Sequence, residues 1–353
     1  MDTRVLALAA AALFLPAPAP AQITQPNGRY WLPAEYNYAF YDRYNDAARS
    51  FYPAHFAHFR IYEEGLQGQS GLEERMEAAR LRVLDLISDP PAYEPPFDLL
   101  APEWAKIAYP TGNAMDWTHH LHEQLYDILS SDRTDERQVR GERALSHYLT
   151  NLPAAFSTRG YGHAFMMAGG SWAGEFARRF PEMNGILWAY HWHHAAVYEA
   201  LMEETHEARE RALDHVLTTF ADSVLADLPE YMPLTAQVAP RFSEMFPAAA
   251  HVFDNLHMMH DVVNDIMVDA ALPTAAKGPE IERLLAQMLY RNQDWVVPPA
   301  LPPEGHGDMP MDAMRIPTEL PDGRWLPQGH PEADLPPGMG HMGHNPGPEG
   351  GTP

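Results

Sequence analysis

Eight of the nineteen histidines in this chain fall into four copies of one pattern, H-x-x-H-x4-[DE]. The copies are His55, His58 and Glu63; His119, His122 and Asp127; His191, His194 and Glu199; and His257, His260 and Asp265. Successive first histidines are 64, 72 and 66 residues apart. Composition alone would give about 0.14 matches, so the spacing marks a repeat. The residue before each acid is Tyr62, Tyr126, Tyr198 and then Asn264, while Glu123 and Asp261 follow the second histidine in copies two and four only.

Neutral imidazole is the commonest metal ligand, and its second nitrogen is normally held by a carboxylate or carbonyl. The chain has no cysteine, so ligands for a metal must come from His, Asp, Glu, Met or Tyr. The expected site is a multinuclear centre. Its ligands are His55, His58, His119, His122, His191, His194, His257 and His260, with Glu63, Asp127, Glu199 and Asp265 orienting them or bridging metals. Glu123 and Asp261, next to the histidines, are candidates for direct ligands or for a general base. Nitrogen-rich ligation favours copper or iron, with zinc possible. Redox chemistry on a small molecule is the leading activity. The alternatives are metal storage or delivery, a metal-dependent hydrolase, and bis-histidine haem, which would use two histidines and leave six unexplained.

The elements that position these residues read as all-α. At about 100° per residue the two histidines and the Tyr or Asn form an i, i+3, i+7 stripe, the core seam of a bundle, and the acid lies on its flank. Each copy is followed by a Glu-Arg pair that is expected to open an outer helix, at Glu74, Glu142, Glu210 and Glu282. The unit is therefore a helical hairpin, repeated in tandem to make a bundle with a His-lined core. In the details of spacing, copy one resembles copy three and copy two resembles copy four. With an outer helix between successive motif helices, all four motif helices can point the same way. First and second histidines would then form two layers about 4.5 Å apart. His147 and His215, on outer helices, and His120 and His193, outside the register and expected to face solvent, are not counted as ligands. The glycine-rich GYGHAFMMAGG carries His163 without a phosphate-loop pattern.

The ends differ from this core. Arg4, the apolar run VLALAAAALFL and Ala19-Pro20-Ala21 form a secretory signal over residues 1–21, implying a periplasmic or secreted protein. The repeat domain is expected over 22–295. Residues 296–353 are rich in Pro and Gly and read as a flexible tail, in which His306, Met309, Met311, Met314, Met339, His341, Met342 and His344 could capture copper. A formal charge of −24 argues against nucleic acid as a partner and suits attraction of cations. No second apolar run follows the signal, so no transmembrane segment is expected in the mature chain.

Overall fold

A computed structural model of the chain describes residues 38–92, 95–160 and 174–291, with two short segments at 318–319 and 325–326. The signal over 1–21, the His163 loop and the Met/His positions of the tail lie outside the described residues. Helices α1 (Tyr38–Arg43), α2 (Asn45–Arg49), α3 (Tyr52–Leu66), α4 (Leu72–Ser88), α5 (Phe97–Leu100), α6 (Pro102–Ser130) and α7 (Arg137–Tyr148) form the first half. The second half holds α8 (Glu175–Arg179), α9 (Pro181–Leu201), α10 (His206–Thr219), α11 (Thr235–Val238), α12 (Pro240–Met245), α13 (Pro247–Val268) and α14 (Thr274–Met288). Beyond them the only described ladder is Thr318–Glu319 paired antiparallel with Trp325–Leu326. The fold is all-α. Among the described residues no helix is long and apolar enough to cross a membrane.

The four motifs lie on α3, α6, α9 and α13, and each of these helices packs against the one that follows it, α4, α7, α10 or α14. The Glu-Arg pair opens α4 only. In α7 and α10 it lies within the helix, and in α14 it falls in the second half.

The all-parallel expectation is overturned. Ascending α3 meets descending α6: Phe51 packs on Tyr126, His55 on His119 and Tyr62 on Trp104. The same antiparallel order joins α9 to α13 through Trp188 with Asp261, His191 with His257 and Tyr198 with Phe253. The parallel pairs are α3 with α13 and α6 with α9. Their contacts advance together, His58 on His260 and then Gly65 under Met267, His122 by His194 and then Tyr126 on Tyr198. The cause lies in the links. After α4 the chain is at Pro90, which accepts from Arg49 just before α3, yet Phe97 packs on Phe59 further up that helix; after α10 it is at Phe220 beside Tyr190, yet Phe242 stacks on Tyr198 near the other end of α9.

A lead-in helical turn recurs with each motif. Eleven residues before each first histidine the backbone leaves helical geometry, at Tyr44 (φ −134°, ψ 52°), Ala108 (−141°, 36°), Phe180 (−128°, 59°) and Phe246 (−131°, 58°). Phe180 and Phe246 each precede a proline, which disfavours the α region. The lead-in turn before each break begins with N–H groups that have no intrahelical partner. They are taken by the acids of the motif.

Asp127 accepts from the amides of Ala39 and Phe40, and Glu63 accepts from those of Glu103 and Trp104. Glu199 accepts from Arg241 and Phe242, and Asp265 from Glu175 and Phe176. In every copy the donors stand 16 and 15 residues before the first histidine. Copies one and two exchange caps, and so do copies three and four. A carboxylate at a helix N-terminus also meets the positive end of the helix dipole.

The opposite ends of the motif helices are closed by cations. Arg75 donates to the carbonyl of Glu64, Arg137 to Met202 and Arg209 to Leu129, while Lys277 donates to Ile266 and Met267. Buried Arg209 and Lys277 thus direct their Nη1 and Nζ hydrogen bonds to helix C-termini, where a positive charge is favoured.

Candidate metal centre

All eight register histidines are buried, between 1% and 8% exposed, and they converge into one cluster. Three pairs stack face to face across facing helices: His55 with His119 at 3.6 Å, His58 with His260 at 3.8 Å, and His191 with His257 at 3.9 Å between ring centroids. Further contacts join the pairs, His119 to His260 at 5.8 Å, His122 to His194 at 5.5 Å and His194 to His257 at 6.0 Å. A small cavity opens among six of the rings, those of His55, His58, His119, His194, His257 and His260, with Ala54, Leu187 and Tyr190 completing its wall. The seam places the rings there. On each helix the histidines at i and i+3 and the residue at i+7 share the inward stripe, and Tyr62, Tyr126, Tyr198 and Asn264 are at most 1% exposed.

Several rings have one nitrogen held and the other left as a donor atom. His257 Nδ1 lies 2.7 Å from the carbonyl of Phe253, one helical turn back. A carbonyl only accepts, so Nδ1 carries the proton and Nε2 keeps its lone pair. His191 Nε2 lies 3.3 Å from Asp254 Oδ1, leaving Nδ1 without a hydrogen-bond partner. Tyr62 and Tyr198 hydroxyls lie 2.6 and 2.8 Å from the Nδ1 atoms of His260 and His122, and Tyr126 donates to the carbonyl of His194. Among the described residues His58 Nδ1, His194 Nε2 and His260 Nε2 have no hydrogen-bond partner. Asp254, which accepts from both the amide and the hydroxyl of Thr235, was not singled out by the spacing. Its signal is an aspartate three residues before the first histidine, present in copies two and four as Asp116 and Asp254.

Burial holds the cluster neutral. Desolvation pushes every one of the eight imidazoles below its ordinary range, His191 to about 3, and the neighbouring rings add to the effect on the others. Uncharged rings present lone pairs rather than protons to an incoming cation. Desolvation also pushes the phenols of Tyr62, Tyr126 and Tyr198 well up, so they remain protonated and able to donate.

The acids of the motif stand apart from the rings. Glu63, Asp127, Glu199 and Asp265 have their oxygens on lead-in amides and do not line the cavity, because the position eight residues after the first histidine turns to the flank. The contacts to ring nitrogens expected of them are made instead by Tyr62, Tyr198, Asp254 and the Phe253 carbonyl. Asp261 accepts from the Trp188 indole at 3.0 Å, and burial raises it to about 7. Glu123 lies 4.0 Å from His120 Nδ1. Neither acid lines the cavity.

His120 and His193, expected to face solvent, are buried at 5% and 1%. The motif helices are covered on nearly every side, and His193 is 3.0 Å from the Ser50 hydroxyl, while His120 packs by Trp117. His147 and His215 are half-buried on outer helices, against Trp117 and Thr219.

The donor set fits a nitrogen-seeking transition ion in its chemistry: buried, neutral imidazoles, several with unpaired nitrogens and fixed second nitrogens. A finished chelate is not formed, since among the described residues no three His, Asp or Glu groups converge as they would on one ion. The rings are stacked in pairs instead. No protein-family model, no curated protein and no solved structure matches this chain.

Proposed function

We propose that the chain is an exported metalloprotein in which four tandem helical hairpins enclose a multinuclear histidine centre. The observation that carries this reading is the convergence of eight neutral, buried imidazoles, of which His58, His191, His194 and His260 each have, among the described residues, one nitrogen without a hydrogen-bond partner. Buried polar groups without partners are unfavourable, and a metal ion supplies the missing bonds. With the motif acids committed to helix ends, the ligands are nitrogen-dominated. That favours copper over carboxylate-rich iron sites, with zinc as the redox-inert alternative. Copper would supply one-electron chemistry. The protein's own residues keep the rings neutral, fix His260 and His122 through Tyr62 and Tyr198, and exclude water.

Elemental analysis of the untagged protein recovered from an exporting host, with optical and EPR spectra on the same sample, tests this. Two or more copper or iron atoms per chain support it. Replacing His122 and His194 together should remove most of that metal, and replacing His147 and His215 should not. Protein that neither contains nor takes up metal overturns the reading. N-terminal sequencing of the exported form, expected to begin near Gln22, tests the signal over 1–21.

The small size of the cavity favours a second reading, metal storage or delivery without turnover. The Met and His residues of 296–353 would then load the buried rings. Reversible transfer of copper to a chelator with no oxidase activity would distinguish it.

A further inference from the structure

The cluster has two sides built on the same plan, and they differ at the position seven residues after the first histidine. On the α6/α9 side, Tyr126 and Tyr198 pack with ring centroids 4.4 Å apart, and both hydroxyls are used, one on the His194 carbonyl and one on His122 Nδ1. The α3/α13 side runs parallel in the same way, with His58 stacked on His260 and Gly65 under Met267. Its register sets Asn264 level with Tyr62, where the other side has a second tyrosine. Asn264 is fully buried, and among the described residues neither its Oδ1 nor its Nδ2 has a hydrogen-bond partner. His58 Nδ1 and His260 Nε2, on the same two helices, are also unpaired.

An apolar side chain would avoid the cost of an unmade buried amide, and a tyrosine would repeat the other copies. An asparagine does neither. Its amide is useful where something arrives that it can hydrogen-bond and where a phenol ring would take up the room. We infer that the α3/α13 side of the cluster receives a small exogenous molecule that accepts a hydrogen bond from the Asn264 amide. At the same level the α6/α9 side is filled by Tyr126 and Tyr198 and leaves no comparable place for such a molecule. This rests on the metal reading, because the incoming molecule is taken to bind beside an ion held by the rings.

The test uses the full mature chain loaded with Cu2+, as wild type, Asn264→Tyr, Asn264→Leu and Tyr126→Asn, with azide as the probe. Copper per chain is measured first by elemental analysis, and helical content by circular dichroism. Azide is then titrated, following its charge-transfer band and the copper EPR signal. The expected result is azide binding in the wild type and at least a tenfold weaker Kd, per bound copper, in Asn264→Tyr and Asn264→Leu. Tyr126→Asn should gain a second azide site. Where Asn264→Tyr does not fold, Asn264→Leu decides. Equal azide affinity in wild type and Asn264→Leu overturns the inference while leaving the metal reading intact. Wild type that holds no copper overturns both, and this is known before azide is added.

Discussion

Replacing Glu199 with alanine separates the two roles an acid in this motif can play. The Glu199 carboxylate accepts from the amides of Arg241 and Phe242 and from Arg241 Nε at 2.8 Å, while being 3% exposed. Loss of an N-terminal cap costs about 0.5–2 kcal/mol. Bonds to a charged group add to this, and relief of the carboxylate's own desolvation, which raises its pKa, subtracts. The net expectation is a loss of about 2–3 kcal/mol. For a folded unit of this size that is a fall in Tm of about 4–10 °C. Asp265→Ala, whose carboxylate is as buried but has no arginine hydrogen bond, should lose about 1–2 kcal/mol. Metal per chain should be unchanged in both. Thermal unfolding followed by circular dichroism, with elemental analysis of the same samples, gives the two readouts. A variant that keeps its Tm but loses its metal would refute the capping assignment and restore the acid as a ligand. The exchange of caps also predicts coupling. Glu63→Ala with Asp127→Ala should depart from additivity by about 0.5 kcal/mol or more. Glu63→Ala with Asp265→Ala should be additive.

Tyr198→Phe and Tyr62→Phe each strip a buried imidazole of its hydroxyl partner and should cost about 1–3 kcal/mol in urea unfolding. They should also weaken metal binding about 10–100-fold, which equilibrium competition with a chelator would measure. In metal-free protein, acid sensitivity should begin unusually high. The folded-state pKa values of His191 and His193 are depressed to about 3 from 6.5, so the unfolded chain binds protons first. The stability these two rings contribute is complete above pH 6.5 and is lost as pH falls from there toward 3. With so many depressed rings, the metal-free protein should lose stability steadily on acidification, and a metal-free protein fully folded at about pH 4 would contradict the burial described. Gly65→Ala would bring a Cβ to 2.8 Å from Met267 Cβ, separating α3 from α13. It should cost about 1–3 kcal/mol, seen as a lower urea midpoint.

Much of this arrangement can be read from residue spacing, and the reasons for the rest are specific. The inward stripe of His58, Tyr62 and their counterparts follows from helical periodicity, which is local. The angle of Glu63 or Asp127 to that stripe is equally local, but what the acid meets there is a stretch of backbone from another copy. The lead-in turns left only a faint mark, an aromatic residue fifteen positions before each first histidine at Phe40, Trp104, Phe176 and Phe242. The direction of the motif helices was not legible, because it depends on how far the Pro-rich links reach and not on the number of helices between motifs. His120 and His193 look like surface residues only if one face of α6 and α9 is assumed to be wet. The outer helices and lead-in turns cover that face.

The two kinds of bond between copies alternate around the bundle. Carboxylates tie copy one to two and three to four, and tyrosine hydroxyls tie two to three and one to four through Tyr198, Tyr126 and Tyr62. A break at any one place therefore opens a closed ring and leaves no half with all its partners. The rings of His58, His119, His122, His191 and His194 all meet His257 or His260 on α13, so their final surroundings form only when the last motif helix docks. On the proposed metal reading, an ion meeting the chain early would find eight separate, solvated imidazoles of ordinary affinity, and one arriving late would have to pass between packed helices.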